Sequence, residues 1–472
     1  MDAVTALERP LLDLEASVER LELTVSDVRE VGWVFHAVSD RLDGLSDDLA
    51  RQRERSGNLL RIVEAAPEML GSEGARVYFI AFLTPAVARG SAGFMENWAE
   101  LTIDDGAMSI TGFGSHADLD TAAHHPITVD PEWLDRYGDG GQTGAGTSAE
   151  DVWSNITASP DWPTTASVIA DLYPQSGGVE IDGVVGVDVF TIAKFLDYTG
   201  PVDAPGLPEP ITSSNAAEFL LRGQYLIADR EDGRDLLADV AFSVVNRLFS
   251  SALPRPQELT QAFGTFAKQG RLLGWAKREE EQAIFRQAGM SGALAELLGA
   301  DAFTFSLVNA GEERIDDFLE GSASYDVTTD ASTGAVEAVA TVTLRNTVPA
   351  AAVGEDAEGN PVDLPPGTNR TWVSTFSVLT PTSITVDGEP VELVVHPEAG
   401  LRATGVVVEV PAQGEVRVEV RYAGTLELSS GYRLVTRTPA TARPMPVSVV
   451  VDGEPIDGDP EHWIDVLDTA PR

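Results

Sequence analysis

The stretch Val77-Tyr78-Phe79-Ile80-Ala81-Phe82-Leu83, followed by Thr84 and Pro85, decides how the rest of the chain is read. Every side chain in it is apolar, so neither a helical nor an alternating polar face can be drawn. A run this short and this uniform suits a strand buried on both faces of a sheet that carries helices above and below. Downstream, Glu100–Ile103 and Met108–Thr111 flank Asp104-Asp105-Gly106. Asp-Gly supplies the positive φ angles of a tight turn, so the spacing predicts a β-hairpin. Ile181–Val189 (IDGVVGVDV) reads as a second buried strand. Helices are expected at 164–173, 190–198, 212–221 and 235–249, and again through 255–300. Alternation of this kind predicts an α/β sandwich.

On either side the pattern changes. Leu11, Leu12, Leu14, Val18, Leu21, Leu23, Val25 and Val28 recur at three- and four-residue steps among charged residues, and a second such stretch runs from Val34 through Leu42, Leu45 and Leu49 to Leu60. The spacing predicts an N-terminal helical hairpin or stalk. Beyond Asp317, Val- and Thr-rich runs at 324–327, 336–344, 372–378, 391–395, 406–410 and 416–420 are separated by Asp387-Gly388, Gln413-Gly414 and Asp452-Gly453. These predict a C-terminal β-sandwich. The expected organisation is a multi-domain α+β protein divided into 1–72 (helical lead-in), 73–305 (central α/β domain) and 306–472 (β-sandwich).

The chain has 472 residues, with 75 acidic and 32 basic side chains and a net charge of −43. Such a surface repels nucleic acid and anionic headgroups, which excludes bulk nucleic-acid binding, and it stays solvated in salt. Cysteine is absent, so disulfides, thiolate catalysis and Cys-ligated metals are excluded. The longest apolar run, Val77–Ala88, contains a proline and is far short of the roughly 20 residues of a membrane span.

Several strings resemble the 4012 family of domains of unknown function. They are Tyr78-Phe79 leading to Arg89 and Gly93-Phe94, Leu101-Thr102 with Asp105-Gly106, Asp161-Trp162-Pro163-Thr164 and Asp182-Gly183-Val184-Val185 through Asp188. Thr199-Gly200-Pro201-Val202, Asn215-Ala216-Ala217-Glu218, Tyr225 and Arg230 continue the set, and Asn309, Asp316 and Tyr325 extend it into the β region. The family's first motif reads as an Asn, then Glu-Leu-Arg and two glycines. Here Thr84–Gly93 keeps the arginine as Arg89 and lacks the Asn, the Glu and one Gly. The resemblance implies an extracytoplasmic cell-envelope protein, membrane-bound only through an anchor that this chain does not contain. The layout is also similar to the LytR-CpsA-Psr phosphotransferases, with 77–83, Arg89, 181–188, Gly200–Val202 and Arg222 through Asp232-Gly233-Arg234 as the corresponding pieces. That similarity implies the same fold for the central domain, and as ligand a polyprenyl-pyrophosphate glycolipid or a cell-wall glycopolymer.

Two constellations carry candidate chemistry. Arg222, Arg230 and Arg234, with Arg89 joining in space, suit the oxygens of a pyrophosphate. Alternatively they pair with Glu231, Asp232 and Asp235 on a solvated surface. Asp182 and Asp188 are expected on one face of their strand, as catalytic acid–base groups or as oxygen ligands of Mg²⁺. The other reading makes them strand-end caps or partners of the arginines. His116 and His124-His125 read as loop histidines, and no metal site is assigned to them. Asp151, Asn155, Asp161 and Trp162 suit either a sugar contact or a closed loop. The Gly-rich segment 135–150 lacks the Lys-Ser/Thr ending of a phosphate-cradling loop. Two functions remain open: a phosphorylated-glycolipid binder that is a degenerate phosphotransferase, or a non-catalytic structural or interaction module of the cell surface.

Overall fold

The computed structural model describes residues 65–122, 129–138, 149–203, 209–222, 240, 242–244, 246–247, 256–311, 314–349, 364–429, 431–456 and 464–468. The expected helical hairpin lies outside these residues up to position 64. The rest is mixed α/β with three multi-stranded sheets.

The first sheet contains β1 (Arg76–Thr84), β2 (Phe94–Asp104), β3 (Ala107–Ser115), β4 (Gly183–Asp188) and β5 (Leu272–Ala276), in the order β3-β2-β1-β4-β5. β1 and β4 are parallel, and the other neighbours are antiparallel. Helices α1 (His116–Ala122), α2 (Pro131–Tyr137), α3 (Ala149–Asn155), α4 (Trp162–Leu172), α5 (Val189–Thr199), α6 (Ala216–Leu221), α7 (Pro256–Lys268) and α8 (Glu279–Gln287) are interspersed with it.

The uniform apolarity of β1 follows from its position at the centre of this sheet. Phe79, Ala81 and Leu83 face a core shared with Trp162, Ala166, Ile169 and Leu172 of α4. Tyr78, Ile80 and Phe82 face the opposite core, with Ile192, Ala193 and Leu196 of α5. Gly186 on β4 is needed because a Cβ there would stand 2.7 Å from the Trp162 ring. The predicted hairpin joins β2 to β3, with Asp105 at φ 46° and Gly106 at φ 79°. Both helices beside β4 start on a capping aspartate. The Asp161 carboxylate accepts the Thr164 N–H at 3.0 Å, and Asp188 accepts the Thr191 N–H at 2.8 Å.

The other two sheets comprise β6 (Asp301–Asn309), β7 (Leu319–Asp330), β8 (Ala335–Asn346), β9 (Asn369–Ser377), β10 (Thr380–Val386), β11 (Glu389–Pro390) and β12 (His396–Glu398). They are completed by β13 (Leu401–Val410), β14 (Glu415–Thr425), β15 (Arg433–Arg437), β16 (Val447–Val451), β17 (Glu454–Ile456) and β18 (Ile464–Asp468). One sheet runs β11-β10-β14-β8-β7-β16-β17 and the other β12-β13-β9-β6-β15-β18. They share a core of Phe303, Phe305, Tyr325, Val342, Val373, Val418 and Leu434.

Three local expectations are corrected. Residues 255–300 are not continuously helical, because Leu272–Ala276 pairs with β4. The first sandwich strand begins at Asp301, so it crosses the point where the sequence divides the chain. Every residue of that strand is buried, which hides the alternation of a half-exposed strand. Residues 391–395 form no strand, and the pairing begins at His396 instead.

Candidate functional site

Asp182 and Asp188 do not share a site. Asp188 ends β4 and Asp182 precedes it, so the two lie about 20 Å apart at some 3.3 Å per residue. Asp182 accepts the Val77 N–H at 2.8 Å and pairs with Arg76 at 3.0 Å. Arg76 also forms a bidentate pair with buried Glu281, at 2.6 and 2.7 Å. Asp188 is fully buried and pairs with Arg271 at 2.7 Å while capping α5. Burial pushes the Asp188 carboxyl above its usual range, and Arg271 and the Thr191 bonds oppose that rise. The alternative in which these aspartates cap an element or pair with arginine is therefore the one the geometry displays.

Arg89 sits in the β1–β2 loop and spends its guanidinium on carbonyls. Nη1 donates to Ala88 and Asn309 at 3.0 and 3.1 Å, and Nη2 donates to Ser154 at 3.3 Å. Burial lowers its pKa to about 10. The same loop is tied to the sandwich through Asp316, whose carboxylate accepts the Ala88 N–H at 2.8 Å and the Asn309 amide at 2.7 Å. Arg222, at the end of α6, pairs with the buried carboxylate of Asp317 and lies over the Phe318 ring at 4.4 Å. Arg89 and Arg222 thus bind neighbouring sandwich residues, through Asn309 and Asp317, and each is a clamp between the layers. Arg230, Arg234, His124 and His125 lie outside the described residues. His116 packs edge-on to Phe94 at 4.8 Å. Asp161 and Trp162 belong to the buried start of α4, and Asn155 is buried at the end of α3.

A buried polar constellation among the described residues was not legible in the sequence. Glu398, next to the β12–β13 turn, is buried. It accepts the Tyr137 hydroxyl at 2.7 and 2.8 Å and the Ser159 hydroxyl at 2.6 Å, and it pairs with Arg136 at 2.7 Å. The Arg136 guanidinium lies over the rings of Tyr137, Trp372 and Phe376 at 5.3–5.7 Å. Close by, buried Arg437 donates to the carbonyls of Gly292 and Pro160 at 3.0 and 2.8 Å. It lines a cleft with Ser91 and Trp162 that has room for about one water molecule. Nothing in a Pro397-Glu398-Ala399-Gly400 string distinguishes this Glu from a solvated turn residue. Its partners stand 239 and 261 positions away.

Among the described residues no helix is long and apolar enough to cross a membrane, and no three His, Asp or Glu side chains converge to hold a metal ion. No curated protein matches the chain. Solved structures that resemble parts of it include a Legionella pneumophila protein described as nutrient-binding, at 10% identity and TM-score 0.21, covering 37% of this chain and 69% of that one. A zinc metallopeptidase of Deinococcus radiodurans gives 13% identity and TM-score 0.17, covering 33% and 39%. Leukotriene A4 hydrolase of Saccharomyces cerevisiae gives 10% and 0.19, covering 34% and 28%. At such TM-scores these likenesses carry no argument about fold or activity. Residues 73–225, the stretch holding Arg89, Asp182, Asp188 and Arg222, match the family described as protein of unknown function DUF4012.

Proposed function

We propose that the chain is a non-catalytic interaction module of the cell surface. The observation that carries this reading is the use made of Asp182 and Asp188. Each is bonded to a backbone N–H and to an arginine, at opposite ends of one strand. A general base needs its acceptor within reach of a substrate proton, and the Asp188 carboxylate is sealed from solvent. An extracytoplasmic location rests on the family's layout and on the solvating power of the acidic surface. The test is a turnover assay with a short-chain polyprenyl pyrophosphate, with and without Mg²⁺, on the intact chain and on Asp182→Asn and Asp188→Asn. The expected result is no turnover from any of them and a lowered melting temperature for Asp188→Asn. Mg²⁺-dependent turnover lost in either variant at unchanged stability would overturn the reading.

One observation favours a second reading, a phosphate-binding and degenerate LytR-CpsA-Psr-like domain. Arg222 keeps 38% of its side chain exposed and leads directly into the segment with Arg230 and Arg234. Calorimetric titration of the same pyrophosphate into the chain and into an Arg230→Ala/Arg234→Ala variant separates the two. Saturable binding lost in the variant supports this second reading.

A further inference from the structure

Free sheet edges template the pairing of another chain, and proteins blunt them with short strands, proline, charge or cover. Five of the six outer strands in the described sheets are blunted. β11 has two residues and contains Pro390, β12 has three and contains Pro397, and β17 has three and contains Pro455. β18 runs for only five residues, Ile464–Asp468. β5 is covered, because its Gly274 N–H donates to the Met290 carbonyl and its Ala276 N–H to the Gln282 side chain, both at 2.8 Å.

The least protected is β3, whose one such device is a β-bulge at Thr111. It runs for nine residues, Ala107–Ser115 (AMSITGFGS), with no charged residue and no proline, in a chain of net charge −43. Ala107, Ser109 and Thr111 present small exposed side chains, and the ladder pairs β3 with β2 on one side. Its one irregularity, at Thr111, divides the ladder into two four-residue runs without shortening the strand. Acids stand at both ends of this neutral strip: Asp104 and Asp105 before it, and Asp118 after it, where its carboxylate accepts the Ser115 N–H at 2.7 Å and closes that end of the strand.

We propose that the β3 edge is a strand-addition site for an extended segment of a partner protein, uncharged in its middle and basic at both ends. Backbone hydrogen bonds along β3 supply the pairing, and the flanking acids supply the charge selection. A second copy of this chain fits less well, since antiparallel β3–β3 pairing sets Asp104 and Asp105 of one copy toward Asp118 of the other. The inference deepens the reading of the chain as an interaction module.

The test uses a nine-residue Thr/Val peptide with two lysines at each end, and the same peptide with glutamates there. Both are titrated into the intact chain while amide hydrogen exchange is followed at 107–115. Saturable binding of the lysine peptide, slowed exchange in β3, and weakening by about tenfold or more between 0.1 and 1 M salt are expected. The glutamate peptide is expected not to bind. In Ala107→Lys/Ser109→Lys, two exposed positions, the preference between the peptides should shift toward glutamate with an unchanged melting temperature. Absence of protection at 107–115 with the lysine peptide overturns the proposal. So does sedimentation showing a dimer that protects the same amides without peptide. Either failure removes this surface and leaves the non-catalytic reading, which stands on Asp182 and Asp188, where it was.

Discussion

Replacing Glu398 by Gln is the sharpest perturbation the structure offers. The substitution keeps the shape and one acceptor oxygen but removes the negative charge that faces Arg136. Both side chains are at most 7% exposed, so water cannot replace the lost partner. Breaking a buried pair by deleting one member costs about 3–5 kcal/mol, most of it the penalty of an uncompensated buried charge. The Tyr137 and Ser159 hydroxyls also lose their charge-assisted bonds, each worth about 1.5–3 kcal/mol at most. A total of about 4 kcal/mol lowers the melting temperature by roughly 8–16 °C if the cooperative unit holds 150–250 residues. Calorimetry on the single variants and on Arg136→Met/Glu398→Gln reads this out. Removing both charges should recover much of the loss, because a well-packed apolar replacement of a buried pair is often neutral. If the single variant costs less than about 1 kcal/mol, or if the two substitutions simply add, the β12–β13 turn is not held to α2 by this pair and the reasoning fails.

Three further outcomes are expected. Burial raises the Asp301 carboxyl from 3.8 to about 6, against the bonds it accepts from Tyr432, Ala302 and Tyr325. A raised folded pKa means stability present below about pH 4 is lost as the pH climbs through 6. The unfolding free energy of wild type, from denaturant curves, should therefore fall relative to Asp301→Asn over that window, by about 3 kcal/mol at most, and a pH-independent difference would contradict it. Ala92 holds a left-handed conformation at φ 59°, so Ala92→Gly should stabilise by about 1 kcal/mol in urea unfolding, and a loss of stability would show that the loop is not strained there. Gly186→Ala should cost about 1–3 kcal/mol by forcing the Trp162 ring off β4, visible as a shifted and broadened Trp fluorescence transition, whereas a silent change would mean that the ring yields freely.

What could be read from the chain was what local chemistry determines. Val77–Leu83 announces a strand buried on both faces, and Asp104-Asp105-Gly106 and Asp387-Gly388 announce their turns, because apolarity and φ preference act within a few residues. β5 was lost inside a long helical reading because Leu272–Ala276 is only five residues long and flanked by helical patterns on both sides. The surroundings of the candidate site residues were illegible for a different reason. An aspartate at a strand end looks the same whether it meets a substrate or Arg271, and Arg271 is 83 positions from Asp188. Arg89 enters the sequence reading only as a fourth arginine joining Arg222, Arg230 and Arg234 in space, and its carbonyl partners Asn309 and Ser154 leave no trace in composition or spacing.

The last strands of the chain also govern how it can be made. β15 lies parallel against β6, and β16 lies parallel against β7, so each closes one sheet of the sandwich from the far end of the sequence. During synthesis β6 and β7 leave the ribosome more than 100 residues ahead of their partners. Until residues 437 and 451 have emerged, the two nascent sheets keep open inner edges, and on β6 that edge belongs to a strand buried along its whole length. Such edges are where growing chains stick to one another. The sandwich therefore completes as one late, long-range event, and a chain released before β16 carries two unfinished sheets rather than a smaller finished one.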